Sequence, residues 1–332
     1  MRIAPLKLAR ISFIAGLVVW EIACFWRTSP SMETELINRM LLFGVLVIVP
    51  LGLCVIARDQ SDQESFFLRL ATIAQPFGAV AVLMSFFLEQ GIAAAVLAAA
   101  WLVVTSLISL YGLARLSFGQ TRTAAEVSIS AGLIYLSVGS GWLIMARLGI
   151  QPLGFGDTIV LLTAVHFHYA GFAAPILTGL AGRMLANRSQ TIRRLFTLVV
   201  AGVIAGTPLV ATGITLSPAL ALAGALVFSI ALALLGVLVT GWVVPAVALR
   251  SVQVLLVLSS VSTFVSMALA SIYAYSIVAK KLIIDIPQMA MSHGMINATG
   301  FSFFGLLAWF ILRFERDLGR SEKRGRPERP IL

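Results

Sequence analysis

Ten apolar stretches of transmembrane length follow one another along the sequence, separated by short polar breaks. A hydrocarbon core of about 30 Å is crossed by about 20 residues of helix. The stretches lie at 11–26, 40–57, 66–88, 91–114, 126–146, 158–182, 196–216, 219–247, 251–279 and 288–312. The chain is 59% hydrophobic and only 11% charged, whereas a soluble domain carries about 25% charged residues. The sequence therefore predicts an all-α polytopic transmembrane helix bundle of about ten spans.

The basic residues predict how the bundle is oriented. An even number of spans puts both termini on one side, and placing them in the cytoplasm leaves nineteen of the 24 Lys and Arg residues there. The five on the other side are Arg27, Arg39, Arg147, Lys280 and Lys281. Basic loops are retained inside the cell. We therefore expect both termini in the cytoplasm of a multi-pass protein of the cell membrane, the inner membrane in a bacterium.

The basic residues after the last span suggest a second, small region. We expect a single transmembrane domain over residues 1–312 and a basic cytoplasmic tail over 313–332. The tail carries Arg313, Arg316, Arg320, Lys323, Arg324, Arg326 and Arg329. A polybasic segment beside a span is attracted to anionic lipids of the inner leaflet. The net charge of +10 therefore indicates contact with lipid headgroups and no nucleic-acid partner.

All three histidines fall inside predicted spans, His166 and His168 in the sixth and His293 in the tenth. Ionisable groups within a bilayer are costly and mark functional sites by default. Counted from Asp157, His166 lies about 13 Å and His168 about 16 Å along the helix. Counted from Asp285, His293 lies about 12 Å along its own helix. These matching depths predict a polar pocket in the outer half of the bilayer.

Helical rotation limits which of these side chains can share one site. Residues two apart point about 200° away from each other, so His166 and His168 cannot both face a small pocket. His293 and Asn297 are four apart and share a face. We therefore expect His293 and Asn297 to meet one of the two histidines of the sixth span. The other histidine is expected to form hydrogen bonds within the bundle.

Further polar residues extend the candidate site. Glu21 on the first span lies about 9 Å from the same membrane face. The candidate ligand-binding residues are therefore His166, His168, Tyr169, His293, Asn297 and Glu21, and the candidate metal ligands are His166, His168 and His293. The ninth span adds a hydroxyl row made of Ser259, Ser262, Thr263, Ser266 and Tyr273. This row could line a hydrated path, or its hydroxyls could bond back to their own helix.

Two segments of the sequence resemble the YndJ-like family of bacterial multi-pass membrane proteins. The resemblance is carried by His-Phe-His-Tyr-Ala-Gly-Phe at 166–172 with Gly179 and Arg183, and by His293-Gly294 with Asn297 and Gly300-Phe301. It implies the multi-pass fold and a shared purpose for these two helices. Members are commonly labelled transporter-like, but the family has no established biochemical activity, so the resemblance implies no mechanism.

Two classes of function fit these residues. The first is a transporter or permease-like protein whose histidine-lined pocket binds a small solute or cation. The second is a membrane-embedded haem- or metal-binding protein, a redox enzyme or a hydrolase, with a haem b or a divalent metal held by the histidines. The sequence contains no HExxH helix, CxxC pair, phosphate loop or nucleophile elbow. This favours a protein that is not an enzyme and has no cofactor, and a purely structural membrane partner is a third possibility.

Overall fold

The computed structural model describes residues 5–56, 65–118 and 123–325, and the regular secondary structure of these residues is helical, with no strand. The ten long helices in this part of the chain are α1 (Pro5–Ala23), α2 (Met32–Ile56), α3 (Phe66–Ser85), α4 (Ile92–Phe118), α5 (Ala124–Leu148), α6 (Asp157–Leu185), α7 (Gln190–Leu216), α8 (Pro218–Ala246), α9 (Arg250–Val278) and α10 (286–325). Nine of these, all except α1, are long and apolar enough to cross a membrane. The predicted all-α multi-pass bundle is confirmed, and the orientation of its termini stays a prediction.

Helix ends are set by capping side chains outside the apolar windows. Helix α2 begins at Met32, eight residues before its apolar window, because the Ser31 hydroxyl accepts a hydrogen bond from the Thr34 amide. Helix α10 begins with a capping box in which Asp285 and Gln288 satisfy each other's backbone amides. Such caps bind the amides that the first turn of a helix leaves without partners. Hydropathy therefore locates the spans, while the caps locate their ends.

Helices α2 and α6 form the centre of the bundle. Within their apolar windows, 94% of the residues of α2 and 72% of those of α6 are buried, compared with 28% for α7. Small residues bring neighbouring helices close to this centre. A Cβ added at Gly16 of α1 would lie 1.9 Å from the Leu46 carbonyl oxygen of α2. Only glycine fits at this crossing, as is common where helices pack within lipid.

Several helices contain π-helical segments within their apolar windows. These segments are Gly44–Ile48 in α2, Phe167–Ala173 in α6, Val239–Val243 in α8, and Ala290–Gly294 and Ile296–Phe303 in α10. A π segment departs from regular α-helical hydrogen bonding, and such segments are often found at functional sites. The segments of α2, α6 and α10 contact one another. The irregular backbone is therefore concentrated where the two central helices meet the last one.

Side chains of neighbouring helices bond to carbonyls of these segments. The amide nitrogen of Gln75 on α3 donates to the Val45 carbonyl over 3.2 Å. The hydroxyl of Ser259 on α9 donates to the Phe301 carbonyl over 2.8 Å. In hydrocarbon an unbonded carbonyl would cost several kcal/mol. The π segments are thus held in place by the helices around them.

One end of the bundle is joined by ion pairs around Glu126 of α5. Its carboxylate pairs with Arg115 of α4 and with Arg183 of α6, whose Nε lies 2.8 Å from Oε1. Arg183 also donates to the Ile56 carbonyl at the end of α2, over 2.9 Å. Four helices are therefore connected through one carboxylate at the end that the charge distribution predicts to be cytoplasmic.

Helix α10 continues past its predicted span, so the first part of the predicted tail is helical. The Arg313 guanidinium donates to the Val55 carbonyl over 3.3 Å. Asp317 accepts a 2.5 Å ion-pair hydrogen bond from Arg10 of α1. Residues 326–332 of the tail lie outside the described residues. Binding of the tail to anionic lipids stays a prediction.

We expect Glu126→Gln to destabilise the bundle. Removing one partner of a buried ion pair leaves an uncompensated charge and costs about 3–5 kcal/mol. Unfolding by SDS in detergent micelles, followed by loss of helical circular dichroism, measures this free energy. Glu89→Gln, at an exposed position, is the matched control and should leave it unchanged. Equal stability of the two variants would contradict the role given to Glu126.

Candidate functional site

His166 of α6 and His293 of α10 face each other across the contact between these helices. Their ring centres are 6.4 Å apart and the ring planes are inclined by only 24°. The His166 side chain is exposed and His293 is half-buried. Two ionisable side chains, 127 positions apart in sequence, are thus brought together, one of them exposed on the surface of the helix bundle.

Backbone hydrogen bonds fix the protonation pattern of both rings. The Nδ1 atom of His166 lies 2.8 Å from the Leu162 carbonyl oxygen, and that of His293 lies 2.8 Å from the Ser266 carbonyl oxygen. A carbonyl oxygen only accepts, so each Nδ1 carries the proton and each neutral ring keeps a lone pair on Nε2. The same kind of backbone bond orients histidines that bind metals. Both rings are therefore arranged to accept a hydrogen bond or to ligate a cation.

Asn297 connects His293 to helix α9. Its Nδ2 donates to the His293 carbonyl over 3.0 Å and lies 3.2 Å from Nε2 of the same ring. Its Oδ1 accepts a 3.1 Å hydrogen bond from the Ser266 hydroxyl. Turning the Asn297 amide round would place its Oδ1 against the His293 carbonyl oxygen. Two acceptor oxygens repel each other, so the orientation of the amide is fixed. Asn297 thus positions His293 and adds a donor beside its lone pair.

His168 points to the opposite side of α6. It is fully buried, its Nδ1 donates to the Ala164 carbonyl over 2.8 Å, and its Nε2 accepts from the Trp101 indole of α4 over 3.0 Å. The planes of the two rings are almost parallel, inclined by 14°. Both nitrogens of His168 are therefore occupied, and the side chain joins α6 to α4 instead of facing His293.

Tyr169 and Met40 connect α2 to the two helices that carry the histidine pair. The buried Tyr169 hydroxyl donates to the Met40 carbonyl over 2.7 Å, which fixes α2 against α6. The Met40 side chain packs on α10, because a Cβ added at Gly294 would lie 3.0 Å from the Met40 sulfur. A thioether is thus held between the two helices that carry His166 and His293. Tyr169 is occupied in positioning this residue.

The structure places Glu21 apart from the histidine pair. Its side chain is exposed near the end of α1, and this helix packs against α2 and α3. Within the described part of the chain, no hydrogen bond or ion pair joins Glu21 to His166 or His293. Of the six sequence-predicted residues, the structure thus places His166 opposite His293 and bonds Asn297 to His293. The described residues show no side-chain hydrogen bond from His168, Tyr169 or Glu21 to this group.

The hydroxyl row of α9 is used mainly for backbone bonding. Thr263 donates to the Ser259 carbonyl within its own helix over 2.9 Å. Ser266 differs, because its hydroxyl reaches Asn297 and its carbonyl accepts from His293. One member of the row therefore belongs to the site, while Ser259 bonds to α10 and Thr263 bonds back to its own helix.

The sequence reasoning did not identify two residues that shape this region, Trp101 and Met40. The indole of Trp101 occupies the second nitrogen of His168, and Met40 brings a thioether next to Gly294. A buried indole usually finds a hydrogen-bond acceptor, so Trp101 could have been proposed as a partner for a histidine. Nothing in the sequence pattern marks Met40.

The described residues contain no group of three or more His, Cys, Asp and Glu side chains placed to hold a metal ion. Zinc sites in proteins use three or four such ligands. A cation bound between His166 and His293 would therefore need further ligands of another kind.

The fold and its buried polar residues define a multi-pass integral membrane protein. The chain belongs to the YndJ-like protein family, which it matches over residues 39–301. It is 29% identical over 291 residues to the uncharacterized membrane protein YndJ of Bacillus subtilis (strain 168), covering 87% of this chain and 51% of that protein. The chain spans about half the length of that relative. No solved structure matches it. The resemblance drawn from the two histidine segments is confirmed.

We expect Trp101→Phe to destabilise the protein. The substitution keeps an aromatic ring but leaves the buried Nε2 of His168 without a donor, at a cost of about 1–3 kcal/mol. Thermal unfolding in detergent measures the loss. Trp142→Phe, at a half-buried position, is the matched control. A loss of the same size when Trp101→Phe is made in a His168→Phe background would show that the indole acts independently of the histidine and would contradict the pairing.

Proposed function

We propose that this protein is a transporter or permease-like membrane protein whose binding site for a small solute or cation is formed by His166 and His293, with Asn297 beside them. The site lies in the outer half of the bilayer in the predicted orientation. This proposal depends on one observation, the pair of imidazole rings whose centres are 6.4 Å apart. The Nδ1 proton of each ring is bonded to a backbone carbonyl.

Desolvation supports a binding role over a purely structural one. An imidazole at membrane depth is costly unless it has partners or faces water. His168 shows the structural solution, with both ring nitrogens hydrogen-bonded. The only hydrogen bond described for His166 is through Nδ1, and its side chain is exposed. A lone pair kept open at this depth is the feature expected of a group that accepts a ligand.

The irregular backbone around the pair supports transport in particular. Non-helical backbone at membrane depth is tolerated where it is buried in protein or lines a cavity. Transporters place their substrates near such interruptions of their helices. Here π segments of α6 and α10 carry or adjoin both histidines. Both histidines therefore lie where the helical hydrogen bonding is irregular, as is frequent at functional sites.

Flux measurements in proteoliposomes test this proposal. The probes are radioactive sodium, rubidium, zinc, silver and methylammonium ions, compared between the parent protein and His293→Ala. We expect at least one probe to be taken up by the parent, with uptake reduced about tenfold or more in the variant. A tenfold loss of uptake corresponds to about 1.4 kcal/mol, which is the size of one lost hydrogen bond to a charged group.

The control for this experiment is Met291→Leu. Met291 is 67% exposed and two positions before His293, so it points to the other side of α10. It should transport like the parent. If no probe distinguishes the parent, His293→Ala and empty liposomes, the transport proposal is wrong.

One observation favours the second class, a metal- or haem-binding membrane protein. The bond from Nδ1 to a carbonyl in both His166 and His293 is the orientation that metal-bound histidines adopt. His168 has no free nitrogen to act as a haem ligand, so the pair would have to supply both axial positions. A Soret band or stoichiometric metal in purified protein, together with absent flux, would favour this class over transport.

A further inference from the structure

The chemical character of the paired site narrows the class of cation that it can hold. The nitrogen ligands offered by His166 and His293 are neutral. Glu21 is not in contact with them, and no group of three or more His, Cys, Asp and Glu is formed among the described residues. A divalent ion would keep two uncompensated charges in a low-dielectric region, which is expensive. A monovalent cation suits neutral ligands better.

The spacing of the rings fits an ion held between them. A ring centre lies about 3 Å from a metal that its nitrogen holds at about 2.0–2.1 Å, so two rings on opposite sides of one ion have centres about 6 Å apart. The observed separation is 6.4 Å, with nearly parallel planes. The distance between the ring centres is therefore of the size expected for two imidazoles that share one ion, with α6 and α10 at their present separation.

One thioether sulfur is packed against the helix that carries His293. Met40 packs its sulfur against Gly294, next to His293, and its carbonyl is held by Tyr169 of α6. Met289 precedes His293 by four positions and shares its face of α10. Thioethers and imidazoles are soft or borderline ligands, and thioethers in particular select Cu(I) among biological metals.

We propose that the His166–His293 pair binds a soft monovalent metal cation of the Cu(I) and Ag(I) class, with the Met40 thioether as an additional ligand. This inference rests on the proposed function and names its substrate class. The Asn297 amide, 3.2 Å from Nε2 of His293, gives up this contact when the ion binds and keeps its bond to the His293 carbonyl. Binding involves no change in the oxidation state of the ion.

Titration of purified protein with silver ions tests the proposal. All samples carry Cys24→Ser and Cys54→Ala, because thiols would bind silver themselves. Isothermal titration calorimetry should show one silver ion per chain. Both His166→Gln and His293→Ala should weaken its affinity by about 100-fold or more, because loss of even a hydrogen-bond partner of a metal ligand costs about 10- to 100-fold.

Two methionine variants separate direct binding from general disturbance. Met40→Leu keeps the volume of the side chain and should weaken silver binding by about tenfold, while the exposed Met291→Leu should leave it unchanged. His166→Gln keeps an exposed polar side chain, so its folding is checked by an unchanged thermal midpoint. Zinc ions should bind more weakly than silver ions to the parent protein.

The possible outcomes distinguish this inference from the proposed function. If zinc binds more tightly than silver with the same dependence on both histidines, the soft-cation class is wrong and the site stands. If another probe crosses the membrane in a His293-dependent way while silver does not bind, only this inference fails. If silver binding is unchanged in both histidine variants and no probe is transported, both fail.

Discussion

Hydrocarbon offers no hydrogen-bond partner to a peptide group or an imidazole, so a polar group inside these spans has to be satisfied by another part of the bundle. The protein does this largely between side chains and backbone carbonyls. Tyr169 bonds to Met40, Gln75 to Val45, and His293 to a carbonyl of the neighbouring helix. These bonds join α2 to α6 and to α3, and α10 to α9, and the geometry of the histidine pair depends on how these helices are held.

The same constraint separates the histidines into two kinds. His168 has both nitrogens hydrogen-bonded, and its ring is packed against Trp101. His166 and His293 each commit Nδ1 to a carbonyl. Nε2 of His166 has no hydrogen bond among the described residues, and Nε2 of His293 has only the Asn297 amide beside it, 3.2 Å away. A fully bonded ring specifies packing, whereas an open lone pair can accept a ligand. The cost of burying charge decides which cations suit such a pair. Neutral nitrogen and sulfur ligands compensate one positive charge more easily than two.

The sequence predicted the spans and the class of protein because both depend on summed hydropathy and on charge. It also predicted from helical rotation that His166 and His168 face opposite ways, but it could not say which of them meets His293. That choice depends on how α6 is rotated within the bundle, which is set by contacts such as Trp101 with His168 and Tyr169 with Met40. The π segments were not predicted, since partners on other helices stabilise them.

Nuclear magnetic resonance of protein labelled with ¹³C and ¹⁵N only at histidine tests the central claim most directly, because the chain contains just three histidines. The account predicts that all three rings carry their proton on Nδ1 in membranes at neutral pH. It also predicts ring-to-ring magnetisation transfer between His166 and His293, and none from either to His168. A proton on Nε2 of His166 or His293, or transfer absent between their rings, would contradict it.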